Sequence, residues 1–193
     1  MSDASPPGRL ATRSVHDGRI VKLSVDTVRF PDGSTGELEM IRHPGAAAVV
    51  PVLGSLEDPD PEVLLLRQYR YASGGYLYEV PAGLPMGADE RWEACAHREL
   101  EEETGYRAST LIPLTRIYTT PGFTDEVIRL YVATGLTPGE SRLDADEFVE
   151  VQRRPWSRVL DMVRQGDIVD GKSVAAILYT DAFLLHRRSR GGP

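Results

Sequence analysis

Apolar and polar positions alternate from Arg19 to Arg29 (RIVKLSVDTVR), the period of a strand with one face buried. Pro31 to Ser34 (PDGS) has turn composition, and TGELEMIRH after it reads as the returning strand of a hairpin. A hairpin of about 25 residues buries little apolar surface by itself, so it is expected to pack against something else. Two continuous apolar runs follow, AAAVVPVL (Ala46 to Leu53) and EVLLLRQY (Glu62 to Tyr69), the pattern of buried central strands. GSLEDPDP between them is a loop on composition, and YLYEVPAG makes a further strand stopped by Pro81 and Gly83.

A helix is predicted from about Asp89 to Thr104, free of interior Gly or Pro, with Gly105 placed to end it. Strands are expected near Leu111–Tyr118, Glu126–Ala133 and Phe148–Gln152. Further helices are expected over Trp156–Gln165, after Pro155, and over Lys172–His186. Strands and helices mixed in this order predict an α/β sandwich around a mixed sheet, with the N-terminal β-hairpin as an extension. The chain divides on this reading into residues 1–45 (tail and hairpin), 46–187 (one domain) and 188–193 (an unstructured tail).

A length of 193 residues suits one domain with a small appendage, and 41% hydrophobic residues suffice for a real core. The net charge of −7 disfavours a generic nucleic-acid binder, which carries a basic surface. Cys95 is the only cysteine, so no internal disulfide forms and a reducing, cytoplasmic home is expected. No stretch approaches the roughly 18 apolar residues of a membrane span. MSDASPPGRL lacks the apolar run of a signal peptide, and its Ser, Pro and Gly residues are expected to be unstructured.

The stretch His97 to Tyr106, HRELEEETGY, crowds Glu99, Glu101, Glu102 and Glu103 together. On a helix, like charges three or four apart repel by roughly 0.2–0.5 kcal/mol per pair. At about 100° per residue, Glu99, Glu102 and Glu103 share the side that carries Trp92, Cys95, Ala96 and Leu100, while Glu101 points away. Acids used only for solubility belong opposite the apolar stripe. Three carboxylates bordering the buried side call for a cation; on the wheel, Arg98 points away from Glu99 and Glu103. Hard oxygen ligands suit Mg²⁺ or Mn²⁺ joined to substrate phosphates. The bland alternative is a solvated acidic face.

GLPMGADERWEACAHRELEEETGY, Gly83 to Tyr106, resembles the signature of the Nudix hydrolases: Gly, five residues, Glu, seven residues, Arg-Glu-apolar-x-Glu-Glu-x-Gly-apolar. Seven residues separate Glu90 from Arg98, and Arg98 to Tyr106 fills the remainder; six residues rather than five separate Gly83 from Glu90, an insertion in the loop before the helix. The resemblance implies an α/β/α sandwich in which Glu99 and Glu103, helped by Glu102, hold divalent metal on a substrate diphosphate. The Ala82 carbonyl matches a position that adds a backbone ligand. Arg98, Glu102 and Glu147 are the residues it carries over as catalytic.

Features outside this segment look like the ADP-ribose pyrophosphatase branch, from about Arg19 to Phe183. Arg70 in LLLRQYRYASGGYLYEVPAG matches a residue expected to contact the diphosphate, although a strand-end surface charge is its plain structural reading. TTPGFTDE resembles the loop marking ADP-ribose hydrolysis, with Pro121 sixteen residues past Gly105; a lone Pro-Gly is otherwise only a turn. In DADEFVEV the best match to the base that activates water is Glu147, with Asp144, Asp146 and Glu150 as substitutes. The resemblance also implies a homodimer built through the N-terminal hairpin, and adenine stacking on Phe30 or Tyr71.

Rival readings keep the metal helix. GDP-mannose and ADP-glucose hydrolysis survive, whereas a cysteine-ligated zinc site, as in NADH-cleaving relatives, needs more than one cysteine. A non-catalytic ADP-ribose sensor is disfavoured by the intact acidic run and by the short segment after the last predicted helix.

Overall fold

The computed structural model describes residues 6–143 and 148–185, so Asp144, Asp146, Glu147 and the expected tail 188–193 lie outside the described residues. The chain forms two units: Met1–Gly45 with Tyr118–Val127, and Ala46–Ile117 with Ile128–Pro193.

The first unit is a three-stranded antiparallel sheet rather than the expected hairpin, with β1 (Gly8–Asp17), β2 (Lys22–Arg29) and β3 (Thr35–Arg42) in that order. β1 begins inside the segment expected to be unstructured; all ten of its residues are exposed, so it carries no burial pattern to read. β2 alternates as expected, but the face is reversed: Ser24 and Asp26 are buried while Leu23 and Val25 are only half-buried. Asp26 is covered because its carboxylate has partners there, the Thr12 hydroxyl at 2.8 Å, the Ser24 hydroxyl at 3.3 Å and the Arg42 guanidinium. The Phe30–Ser34 turn is closed by the Ser34 amide donating to Asp32 Oδ1 at 2.9 Å. The 118–127 segment docks on the end of β3, where the Ile41 amide donates to the Phe123 carbonyl at 2.7 Å.

In the second unit, β4 (Ala46–Leu53), β5 (Glu62–Arg70), β6 (Gly75–Glu79), β7 (Ala82–Gly83), β8 (Tyr106–Tyr118), β9 (Val127–Pro138) and β10 (Val149–Pro155) form one sheet. Its order is β10-β5-β4-β9-β8, with β6 added on β5 and β7 on β4. β4 runs parallel to β9 and antiparallel to β5, so the sheet is mixed. The helices are α1 (Trp92–Thr104), α2 (Trp156–Gln165) and α3 (Gly171–Thr180).

Period-two alternation along β4 builds both layers. Ala47 and Val49 join Cys95, Ala96 and Leu100 of α1, while Ala48, Val50 and Val52 join Trp156, Val159, Ala176 and Ile177 of α2 and α3. Pro51 is tolerated in this central strand because β4 changes partner there: Ala47 and Ala48 pair with β7, Val52 and Leu53 with β5.

Two helix limits differ from expectation. α1 starts at Trp92 because Glu90 turns back out of the helix to meet Arg98. α3 stops at Thr180, whose hydroxyl bonds back to the Ala176 carbonyl at 2.8 Å, and Asp181–Leu185 continues as a wider π turn. Among the described residues, no helix is long and apolar enough to cross a membrane.

Candidate functional site

α1 presents the acidic run against the short strand β7. Cys95, Ala96 and Leu100 are fully buried under the sheet, which fixes the helix rotation and carries Glu103 inward. Gly105 ends the helix with φ 71°, its amide returning to the Glu101 carbonyl at 2.8 Å. Glu103 is 3% exposed, and its Oε2 accepts the Ala82 amide at 2.8 Å. That bond ties the acidic helix to the residue whose carbonyl is the expected backbone ligand.

Glu99 lies against the neighbouring Gly83. A Cβ on Gly83 would overlap the Glu99 carboxylate, so only glycine lets the strand and this acid approach so closely. Gly83 is itself placed by pairing with Ala47. The strand position thus supplies backbone, a carboxylate and no intervening side chain.

Arg98 corrects the helical-wheel expectation. Its Nη1 donates to Glu99 Oε1 at 2.7 Å and to Glu102 Oε2 at 2.9 Å, while Nε and Nη2 each meet Glu90 at 3.0 Å. Nη2 also reaches the Leu84 carbonyl at 2.8 Å. The wheel gives Cα directions; a long guanidinium side chain curls back over its own helix and reaches adjacent positions. Glu90, whose other bond is to the Met86 amide at 2.7 Å, is the anchor of this fork. Its carboxyl is held below the usual range by the Arg98 hydrogen bonds first and that amide second. Glu101 points outward and pairs with Arg107 at 2.7 Å, as the wheel requires.

Cys95 sits beside these acids without being suited to join them. Burial, then the Glu99 charge, pushes its thiol up to about 11, so it is neutral near pH 7.

Arg70, at the end of β5, forms a two-pronged pair with Glu79: Nε to Oε1 and Nη2 to Oε2, both at 2.8 Å. Glu79 is buried, and Lys172 at the start of α3 meets its Oε2 at 2.5 Å. Burial raises the Glu79 carboxyl, but the Arg70 hydrogen bond and the Lys172 charge together outweigh it, leaving it below its ordinary value. Glu79 and Lys172 carried no sequence signal, being 93 positions apart.

The remaining expected residues lie elsewhere. Pro121 is exposed in the first unit, in a turn closed by the Phe123 amide on the Thr120 carbonyl at 3.1 Å. Glu147 is outside the described residues; of its substitutes, Glu150 pairs with Arg67 at 3.3 Å on the outer side of β10. Phe30 is half-buried and Tyr71 is 89% exposed.

Among the described residues, no group of three or more His, Cys, Asp or Glu side chains converges as a ready metal cage. The donor chemistry at α1 nevertheless fits a hard divalent ion: Glu99, Glu102, Glu103 and the backbone at Ala82 offer oxygen alone, and Gly83 keeps the approach free of a side chain.

Comparison with known proteins bears on the same residues. A family model of the NUDIX domain matches residues 42–177. The chain is 40% identical over 173 residues to a methanol dehydrogenase activator of Bacillus methanolicus, covering 88% of this chain and 90% of that protein. It is 36% identical over 172 residues to an ADP-ribose pyrophosphatase of Bacillus subtilis, again covering 88% and 90%. Among solved structures, an ADP compounds hydrolase superposes with a TM-score of 0.79 at 21% identity, covering 97% of this chain and 98% of that one; the fold is shared throughout.

Proposed function

Since the chain belongs to the Nudix family and is a Nudix hydrolase, we propose that it cleaves the diphosphate of ADP-ribose to AMP and ribose 5-phosphate with the aid of a divalent metal. The observation that carries this reading is the likeness to ADP-ribose pyrophosphatases over most of the chain, joined to the acidic α1 face beside Gly83.

Mg²⁺ is the proposed metal, with Mn²⁺ as a substitute, held by Glu99, Glu103, Glu102 and the Ala82 carbonyl. When bound, it screens phosphate charge and acidifies a coordinated water. Arg98 orients Glu99 and Glu102 through its fork, with Glu90 fixing the fork from the other side. Arg70 binds the diphosphate, and Pro121 belongs to the loop that marks ADP-ribose as the substrate. Glu147 takes the proton from the attacking water, whose oxygen bonds to phosphorus as the bridging P–O bond breaks. Leu10, Val15, Ile20, Val21 and Leu38 are exposed on the first unit, which supports a homodimer formed through it. A single cysteine suits a cytoplasmic protein.

The test is product release from ADP-ribose, ADP-glucose, GDP-mannose and NADH, each with Mg²⁺ and with EDTA. Metal-dependent preference for ADP-ribose is expected. Preference for another nucleotide sugar keeps the helix and removes the substrate assignment.

A further inference from the structure

At the end of β5, the second unit links four charged side chains in a chain: Arg70, Glu79, Lys172 and Asp170. Their side-chain exposures are 42%, 2%, 12% and 18%, so only Arg70 opens substantially to solvent. Lys172 Nζ spans Glu79 Oε2 at 2.5 Å and Asp170 Oδ2 at 3.0 Å. Asp170 is also the N-cap of α3, accepting the Ser173 amide at 3.0 Å and the Ser173 hydroxyl at 2.6 Å. The Ser173 oxygen in turn accepts the Val80 amide at 2.8 Å, so the residue next to Glu79 is pinned to the same cap.

The arrangement resolves a difficulty in the role of Arg70. A guanidinium locked two-pronged onto one carboxylate is, as a pair, neutral, and attracts an anion weakly. Removing a lysine from water is also unfavourable unless the charge is used, since apolar side chains would fill the space at no loss of stability. The four formal charges sum to zero, but Glu79 is shared between two cations, and Asp170, at the far end of the chain, also caps the positive end of α3, so the charge nearest the surface is that of Arg70. Arg70 Nη1 makes no hydrogen bond among the described residues, whereas Nε and Nη2 are both held.

We propose that Lys172 is a positioning residue for substrate binding: by sharing Glu79 from the buried side, it leaves Arg70 fixed in orientation yet only partly neutralised toward the diphosphate. This rests on the assignment of Arg70 to the diphosphate made above. Glu79 acts as an orienting clamp and Lys172 as the charge that keeps the clamp from cancelling what it orients.

The experiment uses the full chain with Lys172→Met, Lys172→Arg, Glu79→Gln/Lys172→Met and Arg70→Ala. It reads KM and kcat on ADP-ribose with Mg²⁺, and affinity for inorganic diphosphate by calorimetry in EDTA, where no turnover contributes. Lys172→Met is expected to raise KM and weaken diphosphate about tenfold, with kcat changing about twofold. Lys172→Arg recovers most of the loss, and the double variant brings KM back toward the wild-type value because no uncompensated carboxylate then faces Arg70. Wild-type KM and diphosphate affinity in folded Lys172→Met, or a double variant worse than the single, overturns the proposal. Should Lys172→Met fail to fold, the arginine and double variants decide in the same way. Wild-type diphosphate affinity in Arg70→Ala removes the underlying assignment and the proposal with it; weakened binding in Arg70→Ala but not in Lys172→Met overturns the role of Lys172 alone. Turnover of a different nucleotide sugar refutes the substrate reading and leaves the diphosphate measurement to judge Lys172.

Discussion

The carboxylate of Glu99 occupies the space that a Cβ on Gly83 would need. Gly83→Ala therefore forces Glu99 away from the strand, and the remaining acids lose the backbone beside them. Turnover is expected to fall about 100-fold, since displacement on this scale is enough to misalign a reacting group. Steady-state kinetics with a folded-state check by circular dichroism measures it; a fully active Gly83→Ala enzyme rules out Glu99 as a group at the reaction centre.

Glu103→Gln separates charge from shape. The amide oxygen still accepts the Ala82 N–H, so the melting temperature stays close to wild type. The negative charge is gone, and kcat is expected to drop by about 100-fold or more. Near-wild-type turnover in this variant eliminates the assignment of Glu103 to metal.

Arg98→Lys keeps the charge and removes the planar fork that joins Glu90, Glu99 and Glu102. These side chains are partly exposed, so the expected cost is about 2 kcal/mol, below that of a fully buried pair. For a chain of this length the melting temperature then falls by about 4–8 °C. Activity should fall further than stability does, because two of the proposed metal ligands lose their orientation; an enzyme destabilised but equally active when folded contradicts that role.

Glu79 sets an acid limit on stability. Its carboxyl lies below the ordinary glutamate value of 4.5 in the folded protein, because Arg70 and Lys172 outweigh its burial. The folded state therefore binds this proton more weakly than the unfolded chain. The stabilisation is present above pH 4.5 and is lost as pH falls from there through the folded-state value. Melting temperature against pH should drop more steeply below 4.5 for the wild type than for Glu79→Gln; parallel acid limbs would contradict it.

Cys95 is buried and its thiol is pushed up to about 11, so little thiolate exists at pH 8. Iodoacetamide should label the native protein slowly and the denatured protein fully. Rapid native labelling would mean that the α1 seam opens.

Legibility in the sequence followed the range of the interactions. β4 and α2 begin and end where periodicity and Pro155 put them, because local pattern and burial agree there. The acidic run of α1 was likewise readable, since i, i+3 and i+4 spacing fixes its side. β1 was not: with every residue exposed, it has no alternation to detect. β2 showed its period but not its covered face, which is decided by partners on β1 and β3 that stabilise Asp26. The reach of Arg98 escaped the wheel because side-chain length is not in it. The Glu79–Lys172 pair, joining a strand end to a helix start, becomes visible only once the chain is folded.

The stretch between Gly83 and Glu90 hangs between two fixed posts. Gly83 is held in register by Ala47, and Glu90 by two bonds from Arg98. Leu84 and Met86 spend backbone groups on the same fork, while Gly87, Ala88 and Asp89 face solvent. Slack introduced at Ala88 is therefore absorbed between the posts without moving either, and this makes the position a natural socket for an epitope or a fluorescent label in a working enzyme.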